Sequence, residues 1–227
     1  MPQNFNAFER LTARENIQLI ADIYAKSKKV EEVLDLTGVS QFKSKLYLNL
    51  SEGMKTKVGI GMALVSEAPL LFLDEPTTGL DPRARRDVWE MIEKLKGLGK
   101  TILLTSHYME EVERLSHRAA VMINGQIKTI GEIPFLIKNY GGNIKVIVPK
   151  EPVTETILEQ EASEVFDSSS KQETITGIFK NKKDAKKTII ELYEKDYDVK
   201  VLEPSLEEAF MNITGSKVNE EGELVYE

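Results

Sequence analysis

The chain has 227 residues, 41% hydrophobic and 30% charged, with a formal net charge of −7. That acidic balance speaks against nucleic-acid binding by phosphate neutralisation. With no cysteine and only two histidines, His107 and His117, disulfides, thiolate metal sites and histidine-rich zinc sites are excluded.

Thr12-Ala13-Arg14-Glu15 fits a capping box at the start of a helix that places Ile17, Ile20, Ala21 and Tyr24 on one face. A second helix runs from about Lys28 to Thr37 and stops at Gly38. Ser51 caps a third through about Ser66, so residues 9–66 read as a helical segment.

The period then changes. The spacing predicts a buried parallel strand over 70–74, a helix over 83–96 with Val88, Ile92 and Leu95 inward, a second buried strand over 101–105, and a short helix over 108–115. Strands 118–123 and 126–130 flank Asn124-Gly125, a strong hairpin signal. Gly141-Gly142 marks a boundary. Beyond it come strand 144–148, helix 153–161, strands 163–167 and 173–179, helix 182–194, strand 197–202 and helix 205–213. The β-α-β-β-α-β order matches a ferredoxin-like unit. An acidic tail closes the chain at 215–227. No apolar run approaches the roughly 18 residues that span a bilayer. The opening Met1-Pro2-Gln3-Asn4 lacks the features of a secretory signal, so the chain is expected in the cytoplasm.

Chemistry concentrates at the two strand ends. Leu70-Leu71-Phe72-Leu73-Asp74-Glu75-Pro76 carries four apolar residues into two carboxylates. In a parallel sheet this delivers the acids to the carboxyl edge, where α/β proteins bind ligands. Asp74 suits a magnesium ion held through water, and Glu75 suits orienting or deprotonating a water. Alone, the pair could merely cap a turn. Thr101-Ile102-Leu103-Leu104-Thr105-Ser106-His107 ends its strand in an imidazole able to donate to a phosphate oxygen. Leu50-Ser51-Glu52-Gly53-Met54 opens a helix whose free N–H groups attract anions.

Taken in chain order, 50–54, 70–75 and 101–107, the three segments resemble the signature loop, Walker B strand and switch histidine of ATP-binding cassette (ABC) ATPases, over about residues 1–140. The resemblance implies an α/β fold: a partial P-loop NTPase domain over 1–141 with a helical subdomain at about 9–66, then a small α+β ferredoxin-like module over 142–214. It implies ATP and Mg²⁺ as ligands, with Glu75 and His107 catalytic and Asp74 and Gln3 at the metal. Gln3, in Met1-Pro2-Gln3-Asn4, stands where the family's Q-loop glutamine lies; a frayed end is the competing reading. Leu50, Ser51, Glu52, Gly53 and Met54, with Asp81 of the family's D-loop, would contact ATP across a subunit interface. The common signature is Leu-Ser-Gly-Gly-Gln, so Glu52 and Met54 depart from it. His117 reads as structural.

The implied function is coupling ATP binding and hydrolysis to export through a membrane permease. The partners are that permease and a second ABC ATPase subunit, homo- or heterodimeric, at the inner face of the cell membrane, with no nucleic acid. The ending Glu203-Pro204-Ser205-Leu206-Glu207-Glu208-Ala209-Phe210 resembles multidrug- and polyketide-exporter ATPases. Alternatives are a non-hydrolysing chain that lends its signature loop to a complete partner, and a soluble non-transport cassette ATPase. No Gly-x-x-x-x-Gly-Lys-[Ser/Thr] string occurs; Gly99-Lys100-Thr101 lacks the first glycine and leads into a strand. The expectation is an amino-terminally truncated subunit, with Met1 an internal methionine of the parent sequence, and little ATPase activity on its own.

Overall fold

The structure, a computed structural model, describes residues 1–3, 5–24, 27–168 and 173–215, and the backbone of 217–218 and 224–225. It forms two units, Met1–Leu115 and Ser116–Glu227. Gly141-Gly142 lies inside the second. The expected tail falls, beyond Gly215, outside the residues whose side chains are described.

In the first unit, α1 (Ala13–Ile23) starts with the expected capping box: Thr12 N–H donates to Glu15 Oε2 at 2.7 Å, and Glu15 N–H to Thr12 Oγ1 at 3.2 Å. Ile17 and Ala21 are buried, but Tyr24 is not on that face; it caps the helix and is half exposed. Then come α2 (Val30–Thr37), ended by Gly38, and α3 (Glu52–Leu64), capped by Ser51. Strand β1 (Leu70–Asp74) pairs in parallel with β2 (Thr101–Thr105), with α4 (Pro82–Gly97) between them and α5 (Met109–Leu115) after. Val88, Ile92 and Leu95 are fully buried on α4, as its 3.6-residue period predicts.

The two strands are not buried on both faces, contrary to the sequence expectation. Leu71 and Leu73 enter the core, whereas Phe72 and Leu103 are more than half exposed. The sheet in this unit has just two strands among the described residues. Helices α1 to α4 supply apolar cover for one face, and the alternating side chains leave the other bare.

In the second unit, β3 (Arg118–Ile123) and β4 (Gln126–Glu132) form the expected hairpin. Asn124 (φ +50°) and Gly125 (φ +76°) supply the two left-handed residues of its turn. A helix that the sequence reading lacked, α6 (Ile133–Tyr140), follows directly, with Leu136 fully buried. Next come β5 (Ile144–Pro149), α7 (Pro152–Glu161), β6 (Glu164–Ser168), β7 (Thr174–Phe179), α8 (Lys182–Glu194) and β8 (Lys200–Leu202). These strands form one antiparallel sheet in the order β6-β7-β5-β8. Val146, Val148, Ile175 and Phe179 from one face meet Leu158 of α7 and Ala185 and Leu192 of α8. The last helix, α9 (Leu206–Thr214), is capped by Ser205 and packs on α6, where Asn212 Nδ2 donates to Tyr140 O at 2.7 Å.

Candidate functional site

The parallel register sets Asp74 beside Thr105 at the carboxyl ends of β1 and β2. Thr105 Oγ1 donates to Asp74 Oδ1 at 2.6 Å, fixing that carboxylate. Glu75 then turns back through a left-handed backbone (φ +45°), unusual for a residue with a Cβ. Its N–H is held by Thr105 O and Thr105 Oγ1, both at 3.1 Å.

Donors converge on Glu75 Oε2. His107 Nδ1 lies 2.8 Å away, Thr78 Oγ1 2.7 Å and Gln3 Nε2 3.3 Å. The acceptor is a carboxylate, so the His107 Nδ1–H is the donor. The His107 side chain keeps 51% of its surface exposed and Glu75 25%, so the pair faces solvent and is open to a ligand.

Gln3 reaches the acid because the first residues are tied down. The Met1 amino group donates to Phe72 O at 2.6 Å, and Asp74 N–H donates to Met1 O at 3.0 Å. Met1 and Phe5 pack against α3 at Gly59, where a Cβ would meet Met1 Sδ at 2.7 Å. Asn16 is fully buried; its Oδ1 accepts from Phe8 N–H at 2.8 Å and its Nδ2 donates to Phe8 O at 3.1 Å. Gln3 therefore stands on an anchored segment.

The remaining expected residues gather where α3 begins. Leu50 is buried, and Ser51 Oγ accepts from Met54 N–H at 3.4 Å. Glu52 is exposed and paired with Lys55 at 2.8 Å, which offsets its charge and raises the lysine pKa. Met54 packs its side chain against the core. Gly53 is buried, and a Cβ there would sit 2.9 Å from Ala84 Cβ, so the first turns of α3 and α4 nearly touch. Asp81 caps α4, accepting from Arg83 N–H at 2.9 Å and Ala84 N–H at 3.0 Å. The backbone N–H of Ala84, then that of Arg83, holds its carboxyl below the usual range.

So the structure assembles Gln3, Asp74, Glu75 and His107 in one place, and residues 50–54 next to Ala84, one turn into the helix that Asp81 caps. His117 belongs to the other unit, where its carbonyl accepts from Ile133 N–H. The sequence reading missed Thr105 and Thr78, which orient the two acids. A hydroxyl directly before Ser106-His107 was the available signal. No group of three or more His, Asp or Glu side chains forms a metal cage among the described residues. The donor set at Asp74 is oxygen-only and sparse, which fits Mg²⁺, an ion that keeps most of its water.

Comparison with known proteins finds relatives of one kind. The family model described as ABC transporter matches residues 1–78. The linearmycin resistance ATP-binding protein LnrL of Bacillus subtilis is 28% identical over 95% of this chain and 73% of its own length. Human ATP-binding cassette sub-family A member 2 is 38% identical over 65% of this chain, which spans 6% of that protein. The ABC transporter ced-7 of Caenorhabditis elegans is 31% identical over 90% of this chain, which spans 13% of it. Among solved structures, an ATP-binding subunit of an ABC transporter aligns with TM-score 0.52 and 30% identity, covering 62% of this chain and 60% of that one. A dimeric ATP-binding cassette bound to ADP and Pi aligns with TM-score 0.50 and 24% identity over 57% of this chain and 60% of that one, a likeness of fold. Residues 1–78 thus carry the sequence of an ABC transporter ATP-binding domain, and the chain's relatives include ABC transporter ATP-binding proteins.

Proposed function

We propose that this chain couples ATP binding and hydrolysis to export of a substrate through a membrane permease. The observation that carries the reading is the convergence of His107, Thr78 and Gln3 on one oxygen of Glu75, beside Asp74. Phosphoryl transfer asks a protein mainly for positioning and charge stabilisation. Glu75 orients the attacking water and accepts its proton. His107, hydrogen-bonded to Glu75 and half exposed, stands where a ring nitrogen would meet a γ-phosphate oxygen. Asp74, through a water, and Gln3 would hold Mg²⁺, which when bound neutralises the β- and γ-phosphates.

Residues 50–54 and Asp81 serve a second ATP, held by an opposing ATPase subunit. Helix N-termini suit that task because their N–H groups and dipole favour phosphate. The pairing of Glu52 with Lys55 keeps that end from repelling an anion. The name of the Bacillus relative, a resistance ATP-binding protein, supports the exporter reading. Among the described residues no helix is long and apolar enough to cross a membrane. Membrane attachment at the inner face is assigned to the permease. Residues 142–214 are assigned to a ferredoxin-like accessory module, on the strand order β6-β7-β5-β8.

The 227 residues contain no Walker A string, so the lysine and N–H cradle for the β- and γ-phosphates are supplied by other polypeptide. The test is co-expression with a membrane permease and a polypeptide that supplies the P-loop beside Glu75, followed by phosphate-release measurements on the purified complex. Turnover that falls at least a hundredfold in Glu75→Gln is the expected result. Undiminished turnover in that variant would overturn the assignment.

A further inference from the structure

Glu111 is fully buried in α5, and none of the chemistry above uses it. Its Oε1 accepts from Thr77 Oγ1 at 2.8 Å and from Trp89 Nε1 at 2.8 Å. Thr77 is fully buried and Trp89 nearly so. The other oxygen, Oε2, is buried without a hydrogen-bond partner among the described residues. A buried carboxylate is costly, and more so with one oxygen unpaired. A side chain with that cost invites a question about what its placement secures.

The bonds join three segments that frame the site. Thr77 lies two residues after Glu75, in the turn leading to Asp81. Trp89 stands on α4, which Asp81 caps. Glu111 stands on α5, which begins two residues after His107. A second tie runs parallel to the first. The Arg85 guanidinium, also on α4, lies 4.0 Å over the Tyr108 ring, and that ring lies 4.1 Å from the His107 ring. The N–H groups of Glu111 and Val112 both return to Tyr108 O. Glu75 and His107 thus sit on two segments that meet again, one helical turn deeper, at a single carboxylate oxygen.

We propose that Glu111 is a positioning residue: through Thr77 and Trp89 it locks the Glu75 turn and the His107 helix onto α4 and so sets the contact between Glu75 and His107. The proposal rests on reading those two residues as one site, but its test reads their contact with no nucleotide present. A purely structural Glu111 would lower stability without changing that contact.

The experiment uses the full 227-residue chain in a His117→Gln background, which leaves His107 as the single imidazole. Trp89 is the single tryptophan, so its indole N–H resonance reports the other end of the tie. In Glu111→Leu the indole N–H signal should move and the His107 ring signals should leave their positions. Glu111→Gln keeps an acceptor at Oε1 and should restore both. Leu34→Ala, a fully buried change in α2, should lower the melting temperature and leave the His107 signals in place. Thr77→Val cuts the tie at the turn and should move the His107 signals with a smaller loss of stability, so it decides the matter if Glu111→Leu does not fold. The proposal is overturned if Thr77→Val leaves the His107 signals unmoved, or if Leu34→Ala moves them as far. Should nucleotide later fail to reach His107, these shifts would stand, so the two readings fail separately.

Discussion

Gly53 and Ala84 offer a quantitative test of how residues 50–54 and Asp81 are held together. A Cβ on Gly53 would lie 2.9 Å from Ala84 Cβ, an atom fixed to its own backbone that cannot rotate away. Replacing Gly53 by alanine must therefore push α3 and α4 apart, an overpacking that costs roughly 1–3 kcal/mol. Against this, alanine gains up to about 1 kcal/mol of helix propensity, less in a first turn. The expected net loss is about 0.5–2 kcal/mol, or a melting temperature lower by roughly 2–8 °C for a unit of this size. Ala84→Gly alone costs about 1 kcal/mol of propensity. The double variant removes the clash, so it should be no less stable than Ala84→Gly alone. The cycle should then show a coupling of about 1–3 kcal/mol in urea denaturation followed by circular dichroism. Additivity within about 0.5 kcal/mol would mean the two helices do not touch, and the reasoning fails.

Three further outcomes follow from the same geometry. Asp81 has its pKa depressed in the folded chain by the N–H groups of Ala84 and Arg83, so its contribution to stability is full above the unfolded carboxylate pKa of about 3.9 and is lost as pH falls through the lower folded value; acid denaturation of Asp81→Asn, still a good cap, should lack that part of the pH dependence, and an unchanged acid limb would contradict it. Glu75 sits at φ +45°, so Glu75→Gly should be more stable than Glu75→Ala by about 0.5–1 kcal/mol although both lose the same side-chain bonds, a difference that equal denaturation midpoints would refute. Phosphate release by the purified 227-residue chain should not rise above the nucleotide-only control, and turnover resembling that of a complete cassette subunit would show that these residues need no outside phosphate cradle.

Local chemistry was the legible part of the sequence. Thr12 to Glu15, Gly38, Ser51, Asp81 and Asn124-Gly125 each announce a cap or turn through a side chain or a backbone freedom that acts within a few residues. The α6 helix escaped because Pro134 looks like a break, whereas at the second helical position its missing N–H costs nothing. The bare face of β1 and β2 escaped because Leu70 to Leu73 reads the same whether one face or both are covered. Glu111 escaped for a related reason. In Met109-Glu110-Glu111-Val112-Glu113 nothing local separates the one buried acid from its solvated neighbours; only Thr77 and Trp89, 34 and 22 residues away, identify it. The acids and the imidazole were legible as strand ends, but the anchoring of Gln3 depends on Met1 meeting Phe72 and Asp74 across more than 70 residues.

The central claim is that Gln3, Asp74, Glu75 and His107 face the terminal phosphate of a magnesium-bound nucleotide. Two-dimensional NMR of the isotope-labelled His117→Gln chain, assembled with an unlabelled polypeptide that supplies the P-loop and titrated with Mg²⁺–ATP and separately with Mg²⁺–ADP, tests it directly. Excess ATP should shift the His107 ring signals and the Gln3 side-chain amide while ADP leaves them nearly still, and Asp74→Asn should weaken the ATP response. Equal shifts with both nucleotides, or shifts confined to residues far from the ends of β1 and β2, would contradict the account.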